Sequence, residues 1–293
     1  MRRWRWLWTC GVAFAGGVCA VLGGCAQNMF YYPDTVLYGT PETAGLKFEQ
    51  VRFASLDGTQ LAGWMIPAMD PVSGAPSMRA AKGTVIHFHG NAQNMSAHWE
   101  YAGWLARRGF NVFVFDYRGY GQSQGSPGPK GLYEDSVAAI RYVRSRSDVD
   151  ATRLLVFGQS LGGTQAIAAV GGGERAGVRA VAIESTFLSY SAIAGEKVSG
   201  TGFLMNDTYS AERHIAKLAP VPLLLIHGSA DEVIPASHGD RLYALAGEPK
   251  TLVRVPGGRH IESMSPAFGD TYRDRLVAFF EAALGPAPRL SGL

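Results

Sequence analysis

From position 47 onward the chain alternates between two hydrophobic patterns. Residues 47–53 and 60–66 read as extended runs, and Asp57-Gly58 between them marks a hairpin turn. Residues 67–82 hold three prolines and no apolar period, which predicts a surface loop. Beyond it, short and nearly continuous apolar runs at 83–88, 111–115, 153–157, 178–183, 223–226 and 251–255 alternate with helical patterns. Those patterns lie at 96–108, 132–146, 160–170, 237–246 and 267–283. Continuous apolar runs suit strands covered on both faces. The order therefore predicts one α/β domain over 46–285, with a mostly parallel central sheet, helices on both faces and an antiparallel hairpin leading in. Residues 185–220 interrupt the rhythm after the sixth strand and carry Phe187, Tyr190, Phe203 and Tyr209. They are expected to form a short cap insertion, and residues 286–293 a tail.

The first 24 residues follow a different rule. Arg2, Arg3 and Arg5 precede an apolar, glycine-rich run from 7 to 24, the layout of an export signal. The run ends in Leu22-Gly23-Gly24-Cys25, which resembles a bacterial lipobox, so Cys25 is expected to carry a lipid anchor and 25–45 to lead onto the domain. The alternatives are a plain signal peptide or a retained anchor, since about 18 apolar residues can just span a bilayer. Ala26 stands where an aspartate would resemble an inner-membrane retention signal, so a cell-envelope protein on the outer membrane is expected.

Composition narrows the classes. A hydrophobic fraction of 47% with 17% charged residues fits a globular core. The formal charge of +3 is accounted for by the three early arginines, and subtracting them leaves 0. No basic stripe remains for nucleic acid. Of the three cysteines, Cys10 and Cys19 lie inside the apolar run, so the exported form has no internal disulfide to make. Nothing in the sequence indicates an oligomeric state.

The pattern G-x-S-x-G occurs twice, at Gly121-Gln122-Ser123-Gln124-Gly125 and at Gly158-Gln159-Ser160-Leu161-Gly162. A nucleophile elbow needs a buried strand before the serine and a helix after it. Ser160 has both, following Leu154-Leu155-Val156-Phe157 and preceding a helical run. Ser123 runs instead into Ser126-Pro127-Gly128-Pro129 and reads as a loop residue. A serine hydroxyl becomes nucleophilic only when a base takes its proton, and the chain order in such sites is Ser, acid, His. Four histidines follow Ser160. His214 lies in the expected cap, His227 precedes the acid loop, and His238 opens a helix. His260, after Pro256-Gly257-Gly258 at the end of the last strand, is the candidate base. Asp231, in the loop 227–235, is the candidate acid, with Glu232 as its rival.

Two aimed N–H donors would be needed for an oxyanion, and the backbone amides of Leu161 and Asn91 are the candidates. His87 and His89 alternate along a strand and point to opposite faces, with no further ligand at metal spacing, so no metal is assigned. No cofactor is implied.

With these residues in hand, the chain resembles the α/β-hydrolase superfamily from about 48 to 283. It is most similar to the bud-emergence-protein-like branch, which also resembles acyl-protein depalmitoylases. The matching segments are His87-Phe88-His89-Gly90-Asn91-Ala92, Asp116-Tyr117-Arg118-Gly119-Tyr120-Gly121, Gly158-Gln159-Ser160-Leu161-Gly162 and His227-Gly228-Ser229-Ala230-Asp231-Glu232. The match departs at Gly258-Arg259-His260, where a Gly-His pair is commoner. The resemblance implies an α/β-hydrolase fold and cleavage of a carboxylic ester or thioester, the substrate being a small molecule or an acyl ester. Amide hydrolysis on the same fold, or a non-catalytic envelope lipoprotein, are the alternatives.

Overall fold

A computed structural model describes residues 30–285. The signal and lipid site expected at 1–25 and the tail at 286–293 lie outside the described residues. In chain order the strands are β1 (Tyr32–Pro33), β2 (Glu49–Ala54), β3 (Gln60–Ile66), β4 (Thr84–Phe88), β5 (Ala92–Gln93), β6 (Asn111–Phe115), β7 (Leu154–Gln159), β8 (Val178–Glu184), β9 (Leu223–Gly228) and β10 (Lys250–Val255). The longer helices are α1 (Pro129–Ser145), α2 (Leu161–Gly171), α3 (Tyr190–Lys197), α4 (Ala236–Leu245) and α5 (Thr271–Leu284).

Eight strands form one sheet in the order β10-β9-β8-β7-β4-β6-β3-β2. It is parallel from β10 to β6, while β3 runs antiparallel to β6 and β2 to β3. β4, β6, β7 and β9 are buried along their whole length, which is why their sequences show no alternation. The buried side chains divide by strand parity. Val156 joins Ile140 of α1, Ile167 of α2 and Leu242 of α4 in one cluster. Leu155 and Phe157 join Trp99, Leu276 and Phe280 in the other. Each fully buried side chain of this size stabilises by about 1.5–3 kcal/mol. All three cysteines precede residue 30, so the described domain rests on these clusters.

The differences from the sequence reading are local. The helix expected over 96–108 is broken into Met95–His98, Glu100–Gly103 and a 3-10 stretch Trp104–Arg108. The Trp99 ring lies where a Cβ on Gly103 would sit, 2.6 Å away, and Ala102 N–H already pairs back to Trp99 in the tighter i→i+3 manner. The helix expected from 132 starts at Pro129, whose missing N–H costs nothing at a first helical position. The closing helix expected from 267 starts at Thr271, after a separate 3-10 turn Pro266–Phe268. The loop 67–82 is pinched by one bridge between Met69 and Pro76.

Two segments are more deeply built in than their polarity suggests. Tyr31 is buried, its ring packed edge-on against Phe30, and its hydroxyl donates to Tyr190. β1 pairs in parallel with β5, tying the N-terminal segment to the loop after β4. Within 185–220, α3 and a 3-10 turn Gly202–Leu204 are partly exposed, whereas Ala211, Ile215 and Leu218 are buried in the core.

Candidate active site

The site grows out of the turn between β7 and α2. Ser160 sits there with φ 55° and ψ −120°, a backbone state that costs a non-glycine residue about 1–3 kcal/mol. The flanking glycines make the turn possible. A Cβ on Gly158 would lie 2.6 Å from the Gly162 carbonyl oxygen, and one on Gly162 would collide with the Phe88 carbonyl of the neighbouring strand. Ser160 N–H donates to Glu184 O at 2.9 Å, which fixes the turn to β8. Leu161 is the first residue of α2, so its N–H has no intrahelical acceptor.

His260 and Asp231 arrive on two loops that are stitched together at the carboxyl edge of the sheet. Ser229 N–H donates to Val255 O at 2.9 Å, Ala230 N–H to Gly258 O at 2.9 Å, and Gly257 N–H to Ser229 Oγ at 2.8 Å. His260 Nδ1 lies 2.9 Å from Asp231 Oδ2, and His260 Nε2 lies 3.1 Å from Ser160 Oγ. With Nδ1–H donated to the carboxylate, Nε2 is left to accept the serine proton. The other carboxylate oxygen accepts Val233 N–H at 3.0 Å and Ile234 N–H at 2.9 Å. Burial pushes the Asp231 carboxyl up, but the hydrogen bonds from His260 and the Ile234 amide outweigh it and hold the group below its ordinary range. Asp231 is thus ionised where it meets the imidazole.

The structure therefore brings Ser160, Asp231 and His260 into one hydrogen-bonded line. Asn91 and Leu161 line the same cavity as Ser160 and His260. The Asn91 side chain is occupied elsewhere. Its Nδ2 donates to Phe30 O at 2.6 Å, and its Oδ1 and carbonyl accept the Tyr120 hydroxyl at 3.1 and 2.8 Å. It anchors the loop rather than entering the site.

The rivals stand apart. His227 Nε2 meets Ile234 O at 2.9 Å and braces the acid loop. His238 accepts Leu188 N–H at Nδ1 and pairs with Glu196 of α3 at Nε2. His214 Nε2 meets Thr208 O. The exposed Glu232 offers only its carbonyl, to Lys197. Ser123 donates to Asp116 O and accepts Ala62 N–H, holding its loop. His87 pairs with Gln159 at 3.0 Å, while His89 Nδ1 meets Gly90 O at 2.8 Å and its Nε2 lies 3.3 Å from Asp116. Among the described residues no group of three His, Cys, Asp or Glu is placed to hold a metal ion.

Sequence reasoning missed two parts of the site. Glu184, fully buried at the end of β8, accepts Ser263 N–H at 2.8 Å and Gln159 Nε2–H at 2.6 Å. Burial raises its carboxyl, with the Ser263 and Gln159 donors opposing. A lone acid ending an apolar strand was the available signal, because such a group must find partners inside. The second is the cavity itself, of about 760 Å³, walled by Phe30, Phe187, Ile193, Leu204, Met205 and Ile234 among others. These come from three separated stretches, so no local pattern announces them. Among the described residues no carboxylate lines the cavity, and Lys197 is its only Lys or Arg. A smaller cleft of about 280 Å³ meets it at Val233, His260 and Ile261 and carries Glu232, Arg259 and Glu262.

Comparison with known proteins places this geometry in context. The family described as "Serine aminopeptidase, S33" matches residues 79–200. The protein YfhR of Escherichia coli O157:H7 is 50% identical over 261 residues, 89% of each chain. The α/β hydrolase domain-containing protein WAV2 of Arabidopsis thaliana is 30% identical over 298 residues, 92% of each chain. Among solved structures, the Pyrococcus furiosus esterase Pf2001 superposes with a TM-score of 0.70 at 19% identity, covering 87% of this chain and 98% of that one.

Proposed function

The chain belongs to the α/β-hydrolase family, and from that premise we propose that it is a serine hydrolase of carboxylic esters or thioesters. The observation that carries this reading is the Ser160–His260–Asp231 line opening onto a large apolar cavity. Ser160 Oγ attacks the acyl carbon while His260 Nε2 takes its proton, and Asp231 stabilises the imidazolium. The carbonyl oxygen becomes an oxyanion, for which the Leu161 and Asn91 amides are the proposed donors. Collapse expels the alcohol or thiol, which takes the proton from His260. Water then attacks the acyl-enzyme with the same base, releases the carboxylic acid and restores Ser160. The cavity volume falls in the range of small-molecule pockets and suits an acyl chain.

The family's description also suggests amide cleavage at a free amino terminus. That chemistry calls for a carboxylate to hold the ammonium, and Glu232 and Glu262 line the small cleft rather than the cavity. The lining therefore favours an apolar acyl group over an amino-acid side.

The test is hydrolysis of p-nitrophenyl esters of increasing acyl length by the full chain and by Ser160→Ala, with fluorophosphonate labelling of both. Activity and labelling lost in the variant support the reading. An unlabelled and inactive native protein makes it a non-catalytic binding protein instead. We also propose that the chain is held in the cell envelope, on the outer membrane, by a lipid on Cys25. Mass spectrometry of the mature N-terminus tests the lipid, and recovery in the inner-membrane fraction sinks the placement.

A further inference from the structure

Three separate segments each expose apolar side chains at one mouth. Tyr32 from the N-terminal segment, Val198 from the end of α3 and Val233 from the acid loop all line the cavity, yet remain 64%, 59% and 48% exposed. Phe203 lies in the turn Gly202–Leu204, between the lining residues Thr201 and Leu204, and is 81% exposed. Two more exposed apolar residues, Val36 and Leu37, follow Tyr32 along the chain. A soluble monomer scatters such residues singly. A concentration of them around an opening marks a contact surface.

We propose that this rim docks on a lipid bilayer, so that the acyl chain of a membrane-held ester or thioester passes from the bilayer into the cavity. The proposal rests on the ester-hydrolase reading and adds where the substrate lies. The length of chain before the domain supports a bilayer as the occupant. The apolar run ends at Gly24, and six residue steps separate it from Phe30, which lines the cavity. At full extension those steps reach about 20 Å. With the run retained, or replaced by the lipid proposed on Cys25, so short a lead would hold the membrane beside the mouth.

Charge at the rim is mixed. Lys197, between the lining residues Ala194 and Val198, puts an exposed ammonium there for headgroup phosphates, and the exposed Glu196 and Glu232 stand beside it, so the apolar residues carry the docking. The shape agrees with that placement. Tyr32, Val198 and Val233 are exposed and also line the cavity, which suits a surface that delivers acyl chains.

The experiment compares two substrates for the full chain reconstituted in phosphatidylcholine vesicles containing phosphatidylglycerol. One is 4-methylumbelliferyl palmitate held in the vesicles, and the other is water-soluble p-nitrophenyl butyrate. Phe203→Ser is expected to lower the palmitate rate about tenfold, the scale of withdrawing one large apolar side chain from lipid. The butyrate rate should stay within about twofold, since Phe203 touches no reacting atom. Phe203→Leu should retain the palmitate rate. An unchanged palmitate rate in Phe203→Ser, or an equal fall on both substrates, overturns the proposal. So does a dimer in the native protein that Phe203→Ser converts to a monomer with the substrate ratio unmoved, because the face would then serve a second copy. Failure of the hydrolase reading looks different, since butyrate would not be cleaved by the native chain at all.

Discussion

Ser263, three residues beyond His260, donates its backbone N–H to the carboxylate of Glu184 at 2.8 Å, and its hydroxyl donates to the same oxygen. The strand that receives Ser160 N–H at its last carbonyl thus also holds the loop carrying His260. Glu184 ties the loop of the proposed base to the turn of the proposed nucleophile, as a positioning residue. Glu184→Ala leaves two Ser263 donors and Gln159 Nε2 without their acceptor, at a cost of about 1–3 kcal/mol each. Misplacing His260 by about 1 Å can cost about 100-fold in rate. The expected result is a kcat lower by about that factor with KM within about twofold, and partial recovery in Glu184→Gln. A variant that loses stability but keeps its kcat would show that Glu184 braces the fold alone.

The turn at Ser160 makes a sharper demand on volume. A methyl group on Gly162 would run into the carbonyls of Phe88 and His89, and those belong to a strand and loop that have nowhere to retreat. Gly162→Ala is expected to cost about 3 kcal/mol or more, at the upper end of overpacking penalties. Chemical denaturation measures it. Native-like stability in the variant would mean that the β4–α2 contact is looser than the geometry requires.

These glycines explain how much could be read in advance. The succession of strands and helices along the chain, the elbow at Ser160 and the choice of Asp231 and His260 as candidates rest on local patterns: a buried run, a tight turn, a loop at a strand's end. Each is written in a few consecutive residues. Glu184, Phe30 and Tyr32 matter because of what packs on them from 60 or more residues away. Asn91 Nδ2 reaches Phe30 O, and β1 pairs with β5, across a gap no periodicity reports. The broken helix before Arg108 belongs with them. Its apolar spacing is helical, and only the seating of the Trp99 ring against Gly103 shows why it is split.

Asn91 offers a test of the loop that carries one proposed oxyanion amide. Its side chain ties that loop to Phe30 and, through Tyr120, to the segment after β6. Asn91→Ala keeps the backbone N–H and the Tyr120 bond to the Asn91 carbonyl, but removes the tie to Phe30 and the side-chain contact with Tyr120. The expected kcat loss is about tenfold to a hundredfold, smaller than or equal to the effect of deleting an oxyanion donor outright. Ester hydrolysis by Asn91→Ala beside the native chain measures it, and an unchanged kcat would place the donor elsewhere in the loop.

Acid stability should be governed by the histidines buried without charge. Burial drives His87 from an ordinary 6.5 down to about 3, against the opposing hydrogen bond with Gln159, and drives His98 down to about 3 as well. Both stay neutral in the folded protein where the unfolded chain takes up protons. The stability they confer is complete above about pH 6.5 and is lost as pH falls toward 3. Each contributes a slope of up to about 1.4 kcal/mol per pH unit in that window. Asp231, held below its ordinary range, adds its own loss only at lower pH. His87→Gln keeps a donor for Gln159 but cannot titrate. Between about pH 4.5 and 6, urea unfolding of this variant should show a pH slope shallower by about 1.4 kcal/mol per unit. Parallel slopes for variant and native protein would mean that His87 takes up its proton inside the fold, and that the interior around β4 and β7 admits charge.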